Sequence, residues 1–235
     1  MKENEFKKAL QDKGIILNER QLEQFSLYYE TLISYNEITN LTTITNKEDV
    51  YLKHFYDSLS ILFYHDLENG CKLCDVGSGA GFPSIPIKIV RPDINVTIID
   101  SLGKRITFLH HLFKVLDLKN VDAFHMRAEE YVSHRREYFD VVVARAVAKL
   151  NILAEICIPL VKEKGHFIAM KGQSGEEELQ EANKAINILG CKLSKKEEFN
   201  LPFSGGIRNI FIFMKNDKTP NKYPRNYSQI KNKPL

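Results

Sequence analysis

Nine residues, Asp75-Val76-Gly77-Ser78-Gly79-Ala80-Gly81-Phe82-Pro83, combine an acid with three alternating glycines. They fall where a β-branched run ends and a helical pattern starts. Glycines at 77, 79 and 81 let the backbone turn sharply and approach a ligand without a side chain in the way, and the following helix start offers free N–H groups. Such a turn suits a nucleotide-like or adenosyl ligand. Downstream, Asp100 closes the next strand-like run, where a carboxylate can accept from both hydroxyls of a ribose diol. A dinucleotide fingerprint wants its third glycine where this chain carries Phe82. The pattern present, acid-x-Gly-x-Gly-x-Gly, departs from that fingerprint.

The elements that must position these residues form three regions. Residues 1–66 read as a helical extension, with Asn18 as an N-cap before an apolar stripe at Leu22, Phe25, Tyr29 and Ile33. Thr45-Asn46-Lys47-Glu48 has the form of a capping box before a second amphipathic stretch, Val50 to Phe63. Residues 67–215 alternate strands (71–76, 95–100, 121–125, 139–144, 165–171) with helices (84–90, 103–117, 129–135, 148–162, 175–189), the mark of a parallel sheet covered on both faces. Two further strands, 192–201 and 208–215, joined through Pro202 to Gly206, predict a terminal hairpin. The expected fold is therefore α/β, a sheet of about seven strands ending in an antiparallel hairpin, and together with the acid-x-Gly-x-Gly-x-Gly turn it resembles the Rossmann-like sheet of class I S-adenosylmethionine-dependent methyltransferases. Residues 216–235 read as a basic tail that lies on the surface or orders on a partner.

Composition excludes several classes. The 235 residues carry 33 Lys plus Arg against 30 Asp plus Glu, a net charge of +3, with 43% hydrophobic residues, which is ordinary for a globular chain. The apolar runs are too short for a membrane span, and the charged N-terminus lacks a secretory core, so the reading is cytoplasmic. Cys71 and Cys74 are spaced C-x-x-C, but on a strand positions i and i+3 face opposite ways, so all four cysteines read as reduced packing residues and no metal is expected.

The fourth strand, Phe139 to Val147, narrows the acceptor chemistry. It lacks the Asn/Asp-Pro-Pro-aromatic segment that holds exocyclic amines, and no cysteine stands there to attack a pyrimidine ring. An acceptor that is already nucleophilic remains, such as guanine N7, for which catalysis is mostly proximity. Arg145 would orient substrate or cofactor, or pair with a structural carboxylate. Two other classes stay open on residues alone: a nicotinamide oxidoreductase and a non-catalytic RNA-binding factor on the same scaffold.

Further residues sharpen this. Asn40-Leu41-Thr42, His54 with Asp57-Ser58, the turn from Asp75 to Pro83 with Pro86, Arg127-Ala128-Glu129, Arg145-Ala146-Val147, Lys171-Gly172 and Arg208 together closely resemble the bacterial RsmG/GidB family, which methylates guanine N7 in small-subunit ribosomal RNA. The resemblance implies S-adenosyl-L-methionine as donor, with Gly77, Phe82, Ala128, Glu129 and Arg145 lining its site; the turn and the ribose argument add Gly79 and Asp100. Arg145, His54 and Asp57 are the catalytic candidates, and Glu129 alternatively serves only to start a helix. Lys171, Arg208, Lys222 and Arg225 are the candidate RNA contacts. The implied partner is 16S rRNA, the small ribosomal subunit or its precursor, bound by a monomer.

The charge is unevenly placed. Residues 215–235 hold Lys215, Lys218, Lys222, Arg225, Lys231 and Lys233 against Asp217, a net of +5 that leaves −2 for the rest. Tyr223 and Tyr227 could stack on bases there. On this reading, deleting 218–235 weakens RNA binding and flattens its salt dependence while leaving cofactor affinity unchanged.

Overall fold

The computed structural model describes residues 1–145 and 147–235. Ala146, quoted within Arg145-Ala146-Val147, lies outside the described residues. The chain opens with α1 (Glu3–Gln11) and α2 (Glu19–Thr39), followed by α3 (Lys47–Val50), a π turn at Tyr51–Tyr56 and α4 (Asp57–Leu59). Asn18 caps α2 as its type predicts, its side-chain oxygen accepting from the Gln21 N–H at 2.9 Å. The cap of α3 is Asn46 rather than Thr45, because the Asn46 side chain satisfies two amides at once, those of Glu48 and Asp49. The buried stripe of α2 also differs from expectation. It runs through Phe25, Tyr28 and Leu32, leaving Leu22, Tyr29 and Ile33 half-buried at its margins.

The sheet begins with β1 (Lys72–Val76), α5 (Ser84–Val90), β2 (Asn95–Asp100), α6 (Gly103–Val115), β3 (Val121–His125), α7 (Ala128–Arg135) and β4 (Phe139–Arg145). It continues with α8 (Leu150–Cys157), β5 (Val161–Lys171), α9 (Gly175–Ile188), β6 (Cys191–Asn200), β7 (Ile207–Lys215) and α10 (Tyr227–Asn232). Strand order is β3-β2-β1-β4-β5-β7-β6, parallel through β5, with β7 inserted antiparallel between β5 and β6. The expected seven strands and terminal hairpin are present. The helix expected over 148–162 stops at Cys157, and β5 starts at Val161, earlier than its alternation suggests. Pro159 breaks the helix, and Gly165 lets the strand pass where an added Cβ would lie 2.7 Å from the Asp140 carbonyl oxygen.

Period-two alternation divides the core. Val141 and Val143 face one cluster with α5, α6 and the N-terminal helices; Val142 and Ala144 face the other with α7, α8 and α9. Cys71 and Cys74 fall on these opposite sides, and burial raises both thiol pKa values. Between β1 and β4 the strand order reverses, and ligands of open α/β sheets bind at the carboxyl ends of strands at such a point. The described residues include no helix long and apolar enough to cross a membrane.

Residues 216–235 differ from the expected tail that lies on the surface or orders on a partner. Tyr223 and Ile230 are buried against the α7–α9 side, and the Arg136 guanidinium donates to the Tyr223 and Thr219 carbonyls at 2.8 Å each. The segment orders on its own body.

Candidate functional site

The glycine turn carries β1 into α5 and forms one wall of a cleft of about 380 Å³. Gly77 has φ +74°, and an added Cβ would meet the Val147 Cγ2 at 2.7 Å. Gly79, at φ +62°, would point its Cβ into a space with no atom of the described residues within 4 Å, so the missing side chain is room left at the cleft wall. A buried tyrosine braces the turn from outside the sheet: the Tyr28 hydroxyl, on α2, donates to the Ala80 carbonyl at 2.5 Å. Phe82 stacks between the Tyr28 ring (centroids 5.4 Å apart) and the His54 ring (4.4 Å). The aromatic that replaces glycine therefore joins the N-terminal helices to the turn. Asp75 sits beneath, its Oδ2 accepting from the Ser84 N–H at 3.0 Å while Oδ1 has no partner among the described residues, and burial raises its pKa to about 7.

The polar centre is built on Asp57. Its side chain, 5% exposed, accepts from Arg145 Nη1 and from Arg208 Nε, each at 3.0 Å. Arg145 lines the cleft and pairs with a buried carboxylate. Its Nη1 also donates to the Lys53 carbonyl at 3.1 Å, and its guanidinium carbon lies 5.0 Å from the Phe82 centroid. Arg145 Nη2 lies 3.3 Å from His54 Nδ1, and a guanidinium only donates, so Nδ1 must accept. That leaves the proton on Nε2, which donates to Thr42 Oγ1 at 3.0 Å. Burial first, then the Arg145 charge, pushes the His54 pKa down to about 3, so the ring is neutral at physiological pH. His54 and Asp57 share one helix face at i and i+3, just where the π turn passes into α4.

The other predicted positions divide into three groups. Gly77, Gly79, Phe82, Asp100, Ala128, Glu129, Arg145 and His54 all line the cleft. Asp100 ends β2 and accepts from the Gly79 N–H (3.1 Å), the Leu102 N–H (2.9 Å) and Arg105 Nη1 (3.1 Å). Glu129 both starts α7 and faces the cleft, its pKa raised by burial. Asp57, Lys171 and Arg208 line a second cavity of about 520 Å³, which shares His54, Arg145 and Val147 with the cleft. Lys171 pairs with Glu178 at 2.7 Å and donates to the Ala148 carbonyl.

The remaining two stand apart. Lys222 is exposed, its ammonium 5.3 Å from the Tyr223 centroid. Arg225, expected on RNA, instead grips Glu155: Nε donates to Oε1 at 2.8 Å and Nη2 to Oε2 at 2.6 Å, with the carboxylate fully buried. Its charge answers an internal one. Tyr28, Arg105, Met126 and Tyr227 also contribute to the site or its support, and none was singled out for the cleft by its spacing. An aromatic in a basic segment suggested base stacking; only the folded chain carries Tyr227 to the cleft.

Residues 21–209 match the family model described as rRNA small subunit methyltransferase G. The chain belongs to this family. Relatives called Ribosomal RNA small subunit methyltransferase G from Staphylococcus carnosus and Bacillus cytotoxicus are each 52% identical to it. The first alignment covers 96% of this chain and 95% of its relative, the second 94% and 93%. The fold is also that of solved methyltransferases. A SAM-dependent methyltransferase from Aquifex aeolicus superposes with a TM-score of 0.57 at 17% identity, over 75% of this chain and 97% of that one. TYW2 from M. jannaschii, solved in complex with AdoMet, gives 0.56 at 14% identity, over 73% and 77%. As a small-subunit rRNA methyltransferase family member, the chain leaves the oxidoreductase reading without support.

Proposed function

We propose that the chain transfers a methyl group from S-adenosyl-L-methionine to N7 of a guanine in 16S rRNA. The observation that carries this reading is the shared wall of the two cavities: His54, Arg145 and Val147 line both the cleft at the glycine turn and the cavity beside β4 and β5. One chamber suits the donor and the other the acceptor base. The cleft fits the donor on its own features, an open cradle at Gly79 and, on Ser78 in its lining, a buried hydroxyl oxygen with no partner among the described residues. Gly77, Gly79, Phe82, Ala128 and Glu129 would hold it, and a ribose diol at Asp100 would take over the contact now made by Arg105. When bound, the cofactor supplies an electrophilic methyl on a sulfonium.

The acceptor side argues for N7. Among the described residues, neither lining includes a cysteine. His54 is a weak base whose Nδ1 already accepts from Arg145, and the Asp57 and Glu178 carboxylates of the cavity are held in ion pairs with Arg145, Arg208 and Lys171, so none of the three is poised to deprotonate an amine. Guanine N7 needs neither, since its in-plane lone pair is free, and positioning within roughly 3–3.5 Å of the methyl is what the protein must supply. Donors at Arg145, Arg208 and Lys171 with an acceptor at Glu178 match a guanine edge, whose O6 accepts while N1 and N2 donate. Arg145 and Asp57 act by fixing the base rather than by exchanging its protons. N7 lies in the deep, narrow groove of A-form RNA, so the base must be unpaired or turned out.

We read the protein as a monomer acting in the cytoplasm, with 16S rRNA, the small subunit or its precursor as partner. Borohydride followed by aniline breaks RNA at N7-methylguanine. RNA from cells with the gene should show one such break in 16S rRNA that cells lacking it do not, and identical patterns would sink the proposal. Labelled methyl transfer to naked rRNA, precursor and finished subunit then identifies the substrate. Cofactor binding without transfer to any of the three would favour a non-catalytic RNA-binding factor.

A further inference from the structure

Tyr227 stands almost a hundred residues beyond Ala128 and Glu129, yet its ring shares the cleft with them. A third hollow, a groove of about 750 Å³ between α7 and α10, lies on its other side. Three residues line both spaces: Arg127, Glu129 and Tyr227. They are the partition between the cleft and the open groove. Two of the three hold each other, for the Arg127 guanidinium carbon lies 5.1 Å from the Tyr227 centroid, within reach of a cation–π contact.

Tyr227 is fixed from both directions along the chain. Before it, Arg225 donates from its backbone N–H and its guanidinium to the buried Glu155 of α8. After it, Ile230 is fully buried and the Asn226 side chain caps α10 by accepting from the Gln229 N–H at 3.0 Å. Such anchoring is more than a stacking residue awaiting RNA requires. The segment places an aromatic ring at one end of the cleft and fastens it there without a partner.

We propose that Tyr227 is a positioning residue of the cofactor site, forming with Arg127 and Glu129 the wall against which the adenine rests, so that the C-terminal segment completes the donor pocket. This rests on the S-adenosylmethionine reading above. It also reverses the expectation that the last residues can be removed without cost to cofactor binding. Tyr227 is only half-buried, so its truncation should leave the fold intact, which a thermal melt of the ligand-free protein checks.

The test is calorimetric titration of the full chain with S-adenosylhomocysteine and with 5′-methylthioadenosine. In Tyr227→Ala both ligands should weaken by a similar factor, roughly five- to tenfold, because both carry the adenine while only one carries the amino acid. Tyr227→Phe should stay within about twofold of the parent, since the ring and not the hydroxyl forms the wall. Ile230→Ser, which loosens α10 without touching the cleft, should weaken both ligands in the same sense. Unchanged affinity in Tyr227→Ala would overturn the proposal, and so would a loss confined to RNA binding, which would return Tyr227 to base stacking. Failure of the parent protein to bind either ligand is a different result, and it would remove the cofactor reading itself.

Discussion

Asp57 is a single carboxylate holding two guanidinium groups, and its replacement measures how far the site depends on that balance. Asp57→Asn keeps one acceptor oxygen but turns an amide toward the other arginine, leaving a largely buried charge without a partner. Because Arg145 and Arg208 retain some solvent contact, the loss of stability should be about 2–3 kcal/mol, below the range for fully buried pairs. Adding Arg208→Gln should recover part of that loss in urea unfolding, since the unpaired charge is removed. Methyl transfer should stay impaired in both proteins. His54 gives a pH signature. Its folded pKa of about 3 lies below the unfolded 6.5, so the unfolded state binds the extra proton in that window. The stability is whole above pH 6.5 and falls as the pH drops toward 3, by up to about 1.4 kcal/mol per unit. His54→Gln, which can still accept from Arg145 and donate to Thr42, should lose about 2 kcal/mol less than the parent between pH 7 and pH 5. Equal losses in urea unfolding at the two pH values would show that His54 does not carry the effect. Sequence could name His54, Asp57 and Arg145 through family resemblance, but not that one carboxylate joins Arg145 to Arg208, because that pairing spans 151 residues between Asp57 and Arg208.

At the scale of elements, the glycine turn is held by a helix that belongs to the extension rather than to the sheet. Alternation and turn chemistry made β1 through β4, their helices and the terminal hairpin legible, since each depends on neighbours in sequence. The start of β5 was not, because Pro159 and Gly165 act together with the Asp140 carbonyl across the sheet. The stripe of α2 is rotated for a similar reason, with Tyr28 and Leu32 buried in place of Tyr29 and Ile33. Its buried face is chosen by Phe55, Phe82 and Ala80, which lie on other elements. Tyr28→Phe tests whether this contact shapes the turn as well as filling space. The ring and its stack on Phe82 remain, and only the bond to the Ala80 carbonyl disappears, which should cost about 1 kcal/mol of stability. If the hydroxyl also holds the cradle in shape, S-adenosylhomocysteine affinity should fall more than the melt alone accounts for. Unaltered affinity with a lowered melting temperature would limit Tyr28 to packing.

For the whole molecule, the net +5 of residues 215–235 does not all face solvent. Lys215 is fully buried, donating to the Ile158 and Val161 carbonyls and pairing with Glu137 at 3.2 Å, while Arg225 is committed to Glu155. Lys218, Lys222, Lys231 and Lys233 remain exposed, so the part of the segment available to phosphate is about two-thirds of what the composition implies. Deleting 218–235 would therefore mix effects: it uncovers the Glu155 carboxylate, removes the packing of Tyr223 and Ile230, takes away Tyr227, and strips the exposed lysines. Its expected result is a lower melting temperature and weaker cofactor binding together with weaker RNA binding. Changing Lys222, Lys231 and Lys233 to Gln isolates the electrostatic part, because none of the three makes an ion pair among the described residues. Every lysine–phosphate pairing removed in this way should flatten the slope of log affinity against log salt by about 0.7–0.9. If all three lysines pair with phosphate, the slope for RNA changes by about 2–3 while the melt and the S-adenosylhomocysteine affinity hold. A parent-like slope would move the RNA grip off this segment and onto the basic groups around the acceptor cavity, where Arg145, Lys171 and Arg208 converge.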